Sequence, residues 1–401
     1  MTYRLVSERQ ISAAAIEAAV ASLRGGSYTM GRQVEAFERA FATWVEARHA
    51  IMVNSGSSAN LLALEVLMRP TEGRPQLHPG DEVLVPALAW STTIWPVIQL
   101  GLIPVFVDVD LDTLAMDLVQ AARLRSDRTT ALLLIHPMGR AVEADAFRAF
   151  CAHHDMTLIE DCCESMGAHH AGQHVGTFGT LGTFSHYYSH QLPTIEGGMI
   201  VTQDDRVADD LRSARAHGWS RNRSDHLASE TFDADFQFIG SGYNLRPLDL
   251  QGAIGVAHLQ DFDASLQHRE AIAQTVRSSL LGHPWLRVLG DDVPCASSRR
   301  ERGHSWMLIP MLVTADAPST RDEVVARLRA AGVETRPILS GNILRHSAFQ
   351  HVACRTSRRG YPVADRIMRD GFMIGCHGVR DDAAMRTLLT AFGSLRQPAV
   401  C

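Results

Sequence analysis

The side chains best suited to chemistry are serines, histidines and acids in short clusters, and the chain contains no lysine. All 38 of its Lys+Arg residues are arginine. Arginine stays protonated at physiological pH, so the protein has no side-chain amine that could act as a nucleophile or form a Schiff base. Imidazole can move a proton near neutral pH, and the sequence has 19 histidines. Position within a motif must therefore decide which histidine is a candidate base.

The first motif is NSGSSANLLAL, residues 54–64. A glycine turn followed by Ser57 and Ser58 at a helix start offers backbone N–H groups and hydroxyls to an anion such as phosphate. The alternative is that a serine simply caps the helix.

The second motif, LIEDCCESMGAHH, places Asp161 at the end of a buried strand. Ligands of open α/β sheets collect at the carboxyl ends of the strands. A buried acid there needs a positive partner, and a protonated pyridine nitrogen would serve. The alternative is a helix N-cap, because Glu164 follows three residues later.

The third motif is TFSHYYSHQLPTIEGGMIVT, which brings Ser185, His186 and His190 close to a pair of glycines. A histidine here could act as a proton shuttle. Two later segments, ARAHGWSRNR and GSGYNLRPLDLQGAIG, add further polar candidates: His217, Arg221, Asn244 and Arg246.

Short apolar runs alternate with helical patterns, which predicts an α/β domain with a mainly parallel sheet. The predicted strands are 82–86, 104–109, 130–136, 156–161 and 198–202. A long helix is predicted over 248–281, followed by a smaller α/β domain. We therefore expect a large domain over 1–265, including an N-terminal arm, and a small one over 266–401.

Composition limits the class of protein. A net charge of -6 and 20% charged residues give no reason to expect nucleic acid or a membrane surface as partner. No apolar run is long enough for a membrane span, and the first residues do not resemble a signal peptide. Seven scattered cysteines are typical of reduced thiols, so we expect a cytoplasmic protein.

Taken in order, the motifs resemble those of the DegT/DnrJ/EryC1/StrS family of sugar aminotransferases, from about Ser7 to the last helix. The resemblance implies pyridoxal-phosphate (PLP) fold type I, with a mainly parallel seven-stranded sheet and a smaller C-terminal α/β domain. It implies cofactor contacts by Ser57, Ser58, Trp90, Asp161, Glu164, Ser185 and Asn244. The serines would hold the phosphate, Trp90 would stack on the ring and Asp161 would pair with its nitrogen.

Two of these positions carry a further implication. Asn244 would reach the phosphate bound by the neighbouring subunit, which implies a homodimer with shared active sites. Glu164 stands where the family usually has glutamine.

The family's Schiff-base lysine lies five residues after the serine of the third motif, and that position is His190 here. Histidine at this place resembles the sugar 3-dehydratases, a small branch that includes the GDP-4-keto-6-deoxymannose enzymes of the colitose pathway. The resemblance implies that pyridoxamine phosphate (PMP) condenses with a C4 ketone and that His190 removes a C4′ proton. The C3 hydroxyl is then lost, and the released enamine is hydrolysed.

The same resemblance implies the partners. The substrate would be a nucleotide-linked 4-keto-6-deoxy sugar, with GDP favoured, and L-glutamate would regenerate PMP. Another member of the branch uses an iron–sulfur cluster, but the cysteines here lack clustered spacing, so no cluster is expected. His217 would assist protonation of the leaving hydroxyl, and Arg221 and Arg336 are candidates for phosphates or the glutamate carboxylate.

Three alternatives remain open. The chain could be a lysine-free aminotransferase that yields an amino sugar, or a catalytically inactive family member. A metal site built from His169, His170 and His174 is the third, disfavoured because no carboxylate or cysteine lies nearby in sequence.

Overall fold

The computed structural model describes residues 2–70, 75–221, 223–224, 233, 236–290, 292–378 and 381–396. Its strands are β1 (His49–Val53), β2 (Glu82–Pro86), β3 (Ile103–Val107), β4 (Thr129–Ile135), β5 (Thr157–Asp161), β6 (His169–His170), β7 (Gln173–His174), β8 (Leu181–Ser185), β9 (Gly198–Thr202), β10 (Leu286–Val288), β11 (Leu308–Val313), β12 (Thr335–Arg336) and β13 (Gly371–Gly375). Its α-helices are α1 (Ala13–Arg24), α2 (Arg32–Val45), α3 (Gly56–Leu67), α4 (Ser91–Gln99), α5 (Leu118–Leu124), α6 (Ala144–His153), α7 (Asp205–Arg215), α8 (Asp249–Gln260), α9 (Phe262–Leu280), α10 (Arg321–Ala330), α11 (Pro362–Asp370) and α12 (Asp382–Leu395).

The large sheet has seven strands in the order β1-β9-β8-β5-β4-β2-β3. Strands β8, β5, β4, β2 and β3 run parallel, and β9 is antiparallel to both of its neighbours. These strands are mostly apolar and are buried along almost their whole length, because helices cover both faces of the sheet. The predicted α/β fold with a mainly parallel seven-stranded sheet is confirmed.

The topology brings three functional segments to one edge of this sheet. Asp161 ends β5 and Ser185 ends β8, and these two strands are parallel neighbours. Strand β1 runs in the same direction as β8, since β9 is antiparallel to both, so the start of α3 at Gly56 lies at the same edge. The edge where parallel strands end therefore collects the polar groups.

The small sheet is antiparallel, in the order β10-β11-β13-β12. Its core includes residues from α9, α10 and α12, and also Tyr3 from the N-terminal segment. The predicted boundary at residue 265 falls inside α9, and the division into domains stays a prediction. Among the described residues, none of the helices combines the length and apolar character needed to cross a bilayer.

The single helix predicted over 248–281 is wrong in one respect, because it is two helices that meet at Asp261. The backbone leaves helical geometry there, with φ -109° and ψ 11°. Helix α8 packs on α1 and α2, whereas α9 packs on α12 and β10. The chain therefore bends at Asp261 because the two helices pack against different parts of the protein. Strands β1 and β13 are short apolar runs that the sequence pattern missed.

Candidate active site

A pocket of about 450 Å³ lies at the carboxyl ends of β4, β5 and β8. Seven of the sequence-predicted site residues line it: Ser57, Trp90, Asp161, Glu164, Ser185, His190 and Arg336. Its other lining residues were not predicted: Ser55, Gly56, Asn60, Thr92, Thr93, Ile135, Cys163, Tyr187, Ser189, Glu196, Met307 and Leu339.

One end of the pocket is the N-terminus of α3. The hydroxyl of Ser55, rather than that of Ser57 or Ser58, caps the helix by accepting the Ser58 N–H at 3.1 Å. Ser57 is exposed and donates to the Thr92 hydroxyl at 2.8 Å. Ser58 does not line the pocket, and its hydroxyl accepts a bond from Ser55. The alternative of a serine cap is thus correct for Ser55, and the predicted anion site at Ser57 and Ser58 stays a prediction.

Gly56 and Ser185 complete this end. A Cβ atom on Gly56 would lie 2.7 Å from the Ser185 Cβ and 3.0 Å from its hydroxyl, which is closer than packed atoms allow. Only glycine therefore lets the helix start approach the end of β8. Free N–H groups and several hydroxyls meet here, and that set of donors is suited to a phosphate.

Asp161 lies at the opposite end and is 4% exposed. Its Oδ2 accepts bonds from the Asn60 amide and the Thr93 hydroxyl, both at 2.8 Å. Its Oδ1 accepts the Cys163 N–H at 3.0 Å. Three donors stabilise a carboxylate, which in turn can hold a protonated ring nitrogen. No helix follows β5, so the N-cap alternative for Asp161 is wrong.

His190 is fixed by the same short segment that follows β5. Its Nδ1 lies 2.8 Å from the carbonyl oxygen of Cys163. A carbonyl only accepts hydrogen bonds, so Nδ1 carries the proton and Nε2 holds the lone pair. The next side chain, Gln191, donates to the carbonyl of Glu164. Two successive carbonyls thus dock the loop that carries the histidine.

Burial, and then the nearby His186, Arg269 and Arg336, lower the pKa of His190 to about 3. The ring is therefore neutral near pH 7. A neutral ring with one nitrogen occupied by a carbonyl and the other free is the form in which histidine acts as a base.

Burial in the same pocket raises the pKa of Glu164, whereas it lowers that of His190. Burial raises the pKa of Glu164 from 4.5 to about 7, and the charge of Asp161 adds to the rise. The Met138 N–H, which Oε2 accepts at 3.0 Å, and the charge of Arg336 oppose it. The two neighbouring carboxyl groups therefore differ in their donors, because Asp161 accepts three hydrogen bonds and Glu164 accepts one.

Trp90 and Arg336 form the wall nearest the small sheet. Trp90 precedes α4 and is 47% exposed, so one face of its ring is available to a flat ligand. The guanidinium carbon of Arg336 lies 5.6 Å from the centre of this ring. An aromatic face and a cation thus line the same pocket as His190.

Besides Ser58, three predicted residues do not line this pocket of their own chain: His217, Arg221 and Asn244. The backbone of Ala216 pairs with that of Asn244, which is exposed. His217 packs edge-to-face on Trp219 with ring centres 4.6 Å apart. Arg221 stacks on the other side, 3.6 Å from the Trp219 ring centre.

The histidines of the disfavoured metal site are engaged elsewhere. His174 contacts the backbone of Gly167 and Val175 with its two ring nitrogens. His170 pairs with Asp145 at 2.6 Å. Both ring nitrogens of His174 and one of His170 therefore make contacts within the protein.

The sequence did not predict residues such as Asn60, which hold a predicted site residue in place by a hydrogen bond. A buried amide on the apolar face of α3 must have a partner. That rule was available from the sequence, but the partner, Asp161, was not.

A model of the DegT/DnrJ/EryC1/StrS aminotransferase family matches residues 9–392. The chain belongs to this family. The resemblance inferred from the motifs is confirmed. The assignment of His190 to the position of the family's lysine stays a prediction.

Relatives of known activity share the fold across nearly the whole chain. A GDP-4-keto-6-deoxy-D-mannose 3-dehydratase of Yersinia pseudotuberculosis is 34% identical over 359 residues, which is 88% of each chain. A crystal structure of a GDP-4-keto-6-deoxymannose-3-dehydratase variant, with a histidine changed to asparagine and GDP-perosamine bound, is 32% identical. It has a TM-score of 0.90 and covers 97% of this chain and 100% of its own.

A second structure of that kind of enzyme holds a trapped PLP-glutamate geminal diamine. It is also 32% identical, has a TM-score of 0.89 and covers 97% of this chain and 100% of its own. Family members of this branch therefore bind PLP within the fold found here.

Replacing Glu164 with glutamine is expected to stabilise the ligand-free protein at pH 8 and to matter little at pH 4.5. When the pKa of a carboxyl is raised by folding, the folded state holds the proton more tightly than the unfolded state. The free energy of unfolding therefore falls as pH rises from the unfolded pKa to the folded pKa. The free energy of unfolding of the variant minus that of the parent should grow by about 1–3 kcal/mol between pH 4.5 and pH 8, as measured by urea denaturation. Glu17→Gln, on the exposed side of α1, is the control. An equal difference at both pH values would contradict the raised pKa.

Proposed function

We propose that this protein is a PMP-dependent 3-dehydratase acting on a nucleotide-linked 4-keto-6-deoxyhexose. The observation that carries the proposal is the hydrogen bond from His190 Nδ1 to a backbone carbonyl, which leaves Nε2 as the possible base. The motifs assign this histidine to the family's lysine position. The ordered pocket around it supports an active enzyme rather than an inactive family member.

The donor set of the pocket fits PMP or PLP. Asp161 would hold the protonated ring nitrogen, Trp90 would cover a ring face, and Glu164 lies beside Asp161. Ser57, Ser185 and the start of α3 would hold the phosphate. When bound, the cofactor supplies an amine for the sugar ketone and a ring that accepts electrons.

His190 supplies the base. Its Nε2 takes the proton from the C4′ carbon, while the Cys163 carbonyl keeps the ring from turning. Imidazole cannot retain the aldehyde covalently as a lysine would, so the site favours loss of the C3 hydroxyl over transfer of the amine. His217 of a neighbouring subunit would donate a proton to that hydroxyl.

The relatives favour GDP as the nucleotide and L-glutamate as the amine donor. Arg336 is the cation that adjoins His190 in the pocket, and it would bind the glutamate carboxylate or a sugar phosphate. Cys162 is packed in an apolar core beside β8, and such an environment is not typical of a ligand of an iron–sulfur cluster. We therefore propose that the deoxygenated product is released and hydrolysed without an iron–sulfur cluster, in a cytoplasmic enzyme.

A homodimer with shared sites accounts for the residues outside the pocket. The Trp219 face, formed by Trp219, Arg221, Phe236 and Phe238, is exposed, and its two phenylalanines are about 60% accessible. Exposed aromatic groups beside arginine are typical of interfaces. Docked on a partner, this face and Asn244 would complete the partner's pocket, with Arg221 directed to the substrate phosphates.

The direct test is incubation with PMP, L-glutamate and a panel of nucleotide-linked 4-keto-6-deoxy sugars, followed by mass spectrometry. We expect the GDP sugar to lose one oxygen atom and ammonia to be released. A stable amino sugar would instead indicate the aminotransferase. If no sugar changes and the absorbance of PMP and PLP is unaffected by the protein, the inactive alternative holds.

His190→Lys should attach PLP covalently and lose deoxygenation by about a hundredfold or more, because it exchanges a base for an amine that captures the aldehyde. Attachment is measured as a mass increase of the intact protein after borohydride reduction. His351→Lys, at an exposed position, is the matched control. Unchanged turnover in His190→Lys would show that another group is the base.

Shared sites predict that two impaired variants rescue each other. His190→Asn removes the base, and Asn244→Asp places a negative charge against the phosphate in the neighbouring site. Half of the mixed dimers would be heterodimers with one intact site of two, so activity should return to about a quarter of the parent value. Activity after mixing and subunit exchange is compared with each variant alone, and no recovery would place Asn244 outside the partner's site.

A further inference from the structure

The N-terminal segment, residues 3–12, runs from the small sheet to the loop that carries His190. It begins in the core of the small sheet, where Tyr3 is 1% exposed. Its hydroxyl donates to the Gly375 carbonyl at 2.8 Å, and its ring stacks on His377 with centres 5.2 Å apart. The start of the segment is therefore firmly anchored.

The next residues are tied to the strand that carries Arg336. The Leu5 N–H donates to the Glu334 carboxylate at 2.9 Å, and the Tyr3 carbonyl accepts the Glu334 N–H at 2.9 Å. Glu334 directly precedes β12. The segment is thus held to the element that places Arg336 in the pocket.

The far end of the segment contacts the histidine loop at three points. The Tyr188 hydroxyl donates to the Ser7 carbonyl at 3.3 Å. The Gln10 amide donates to the carbonyl of His190 itself at 2.7 Å. His258 accepts the Ser12 N–H on Nε2 at 3.1 Å and donates from Nδ1 to the Pro193 carbonyl at 2.8 Å.

We propose that Gln10 is a positioning residue for His190. Gln10 bonds the catalytic histidine from one side of its backbone, and Cys163 bonds its ring from the other. The His190 N–H is also satisfied, by the Tyr187 carbonyl at 2.9 Å. With all three groups bonded, neither the peptide nor the ring can turn without breaking a hydrogen bond.

This inference rests on the proposed function only for its kinetic consequence. Without the Gln10 amide, the carbonyl of His190 is released and the following peptide can rotate. That peptide leads to Gln191, whose side chain docks on the Glu164 carbonyl. The histidine then samples orientations in which Nε2 is misdirected, although Asp161, Ser57 and Ser185 still bind the cofactor.

Gln10→Glu keeps the shape of the side chain and removes the donor. We expect kcat for deoxygenation to fall by about tenfold to a hundredfold, since a small misplacement of a reacting group has that effect. The Kd for PMP, measured by absorbance titration, and the KM for the sugar should stay within about threefold of the parent values. Gln260→Glu, the same change at an exposed site at the end of α8, should alter none of these quantities.

A second readout does not depend on the reaction. In ¹⁵N-histidine-labelled protein with PMP bound, the His190 side chain, assigned with His190→Asn, should show one Nδ1–H tautomer. In Gln10→Glu its signals should broaden or shift toward a tautomer mixture. Unchanged ring signals and unchanged kcat would overturn the proposal, as would a rise in the Kd for PMP that matches the loss of kcat. If the parent deoxygenates no sugar, the proposed function fails, and the ring signals alone decide the role of Gln10.

Discussion

The backbone of Cys163 is the constraint on which the site depends. Its N–H donates to the carboxylate of Asp161, and its carbonyl accepts the Nδ1 proton of His190. A single residue therefore fixes the group suited to a ring nitrogen and the group suited to a base. A bond to a charged acceptor contributes about 1.5–3 kcal/mol and a neutral one about 1 kcal/mol. The hydrogen bond to Asp161 is local, since the two residues are 2 positions apart. The hydrogen bond to His190 is long-range, since these residues are 27 positions apart.

The electrostatics of the pocket follow from how many donors each acid receives. Asp161 has three, from α3, α4 and its own turn, and these hydrogen bonds stabilise a carboxylate at this position. Glu164 receives one backbone donor, and burial together with the neighbouring charge raises its pKa to about 7. A carboxyl whose pKa lies near neutral can hold a proton and donate a hydrogen bond at physiological pH.

The sequence was most informative where a short motif meets a strand end. Asp161, Ser185 and His190 were predicted from such motifs, and the sheet does bring them together because β5 and β8 are parallel neighbours. The break at Asp261 was not predictable, since the apolar pattern continues across it and only packing against two different cores bends the chain. The long-range supports, Gln10 and Asn60, were also missed, because a glutamine or asparagine gives no indication of its partner in sequence.

The geometry around His190 suits an imidazole better than it would suit a lysine amine. An imidazole has two nitrogens on a rigid ring, so one can be fixed on a carbonyl while the other faces the reacting carbon. A lysine has one nitrogen on a flexible chain, and bonding it to Cys163 would remove it from the chemistry. The loop around residue 190 supplies the carbonyl, the docking glutamine and the buried surroundings that keep the ring neutral. These features would be of use to a proton-transferring ring and of little use to an amine, and they support the proposed role of His190 as a base.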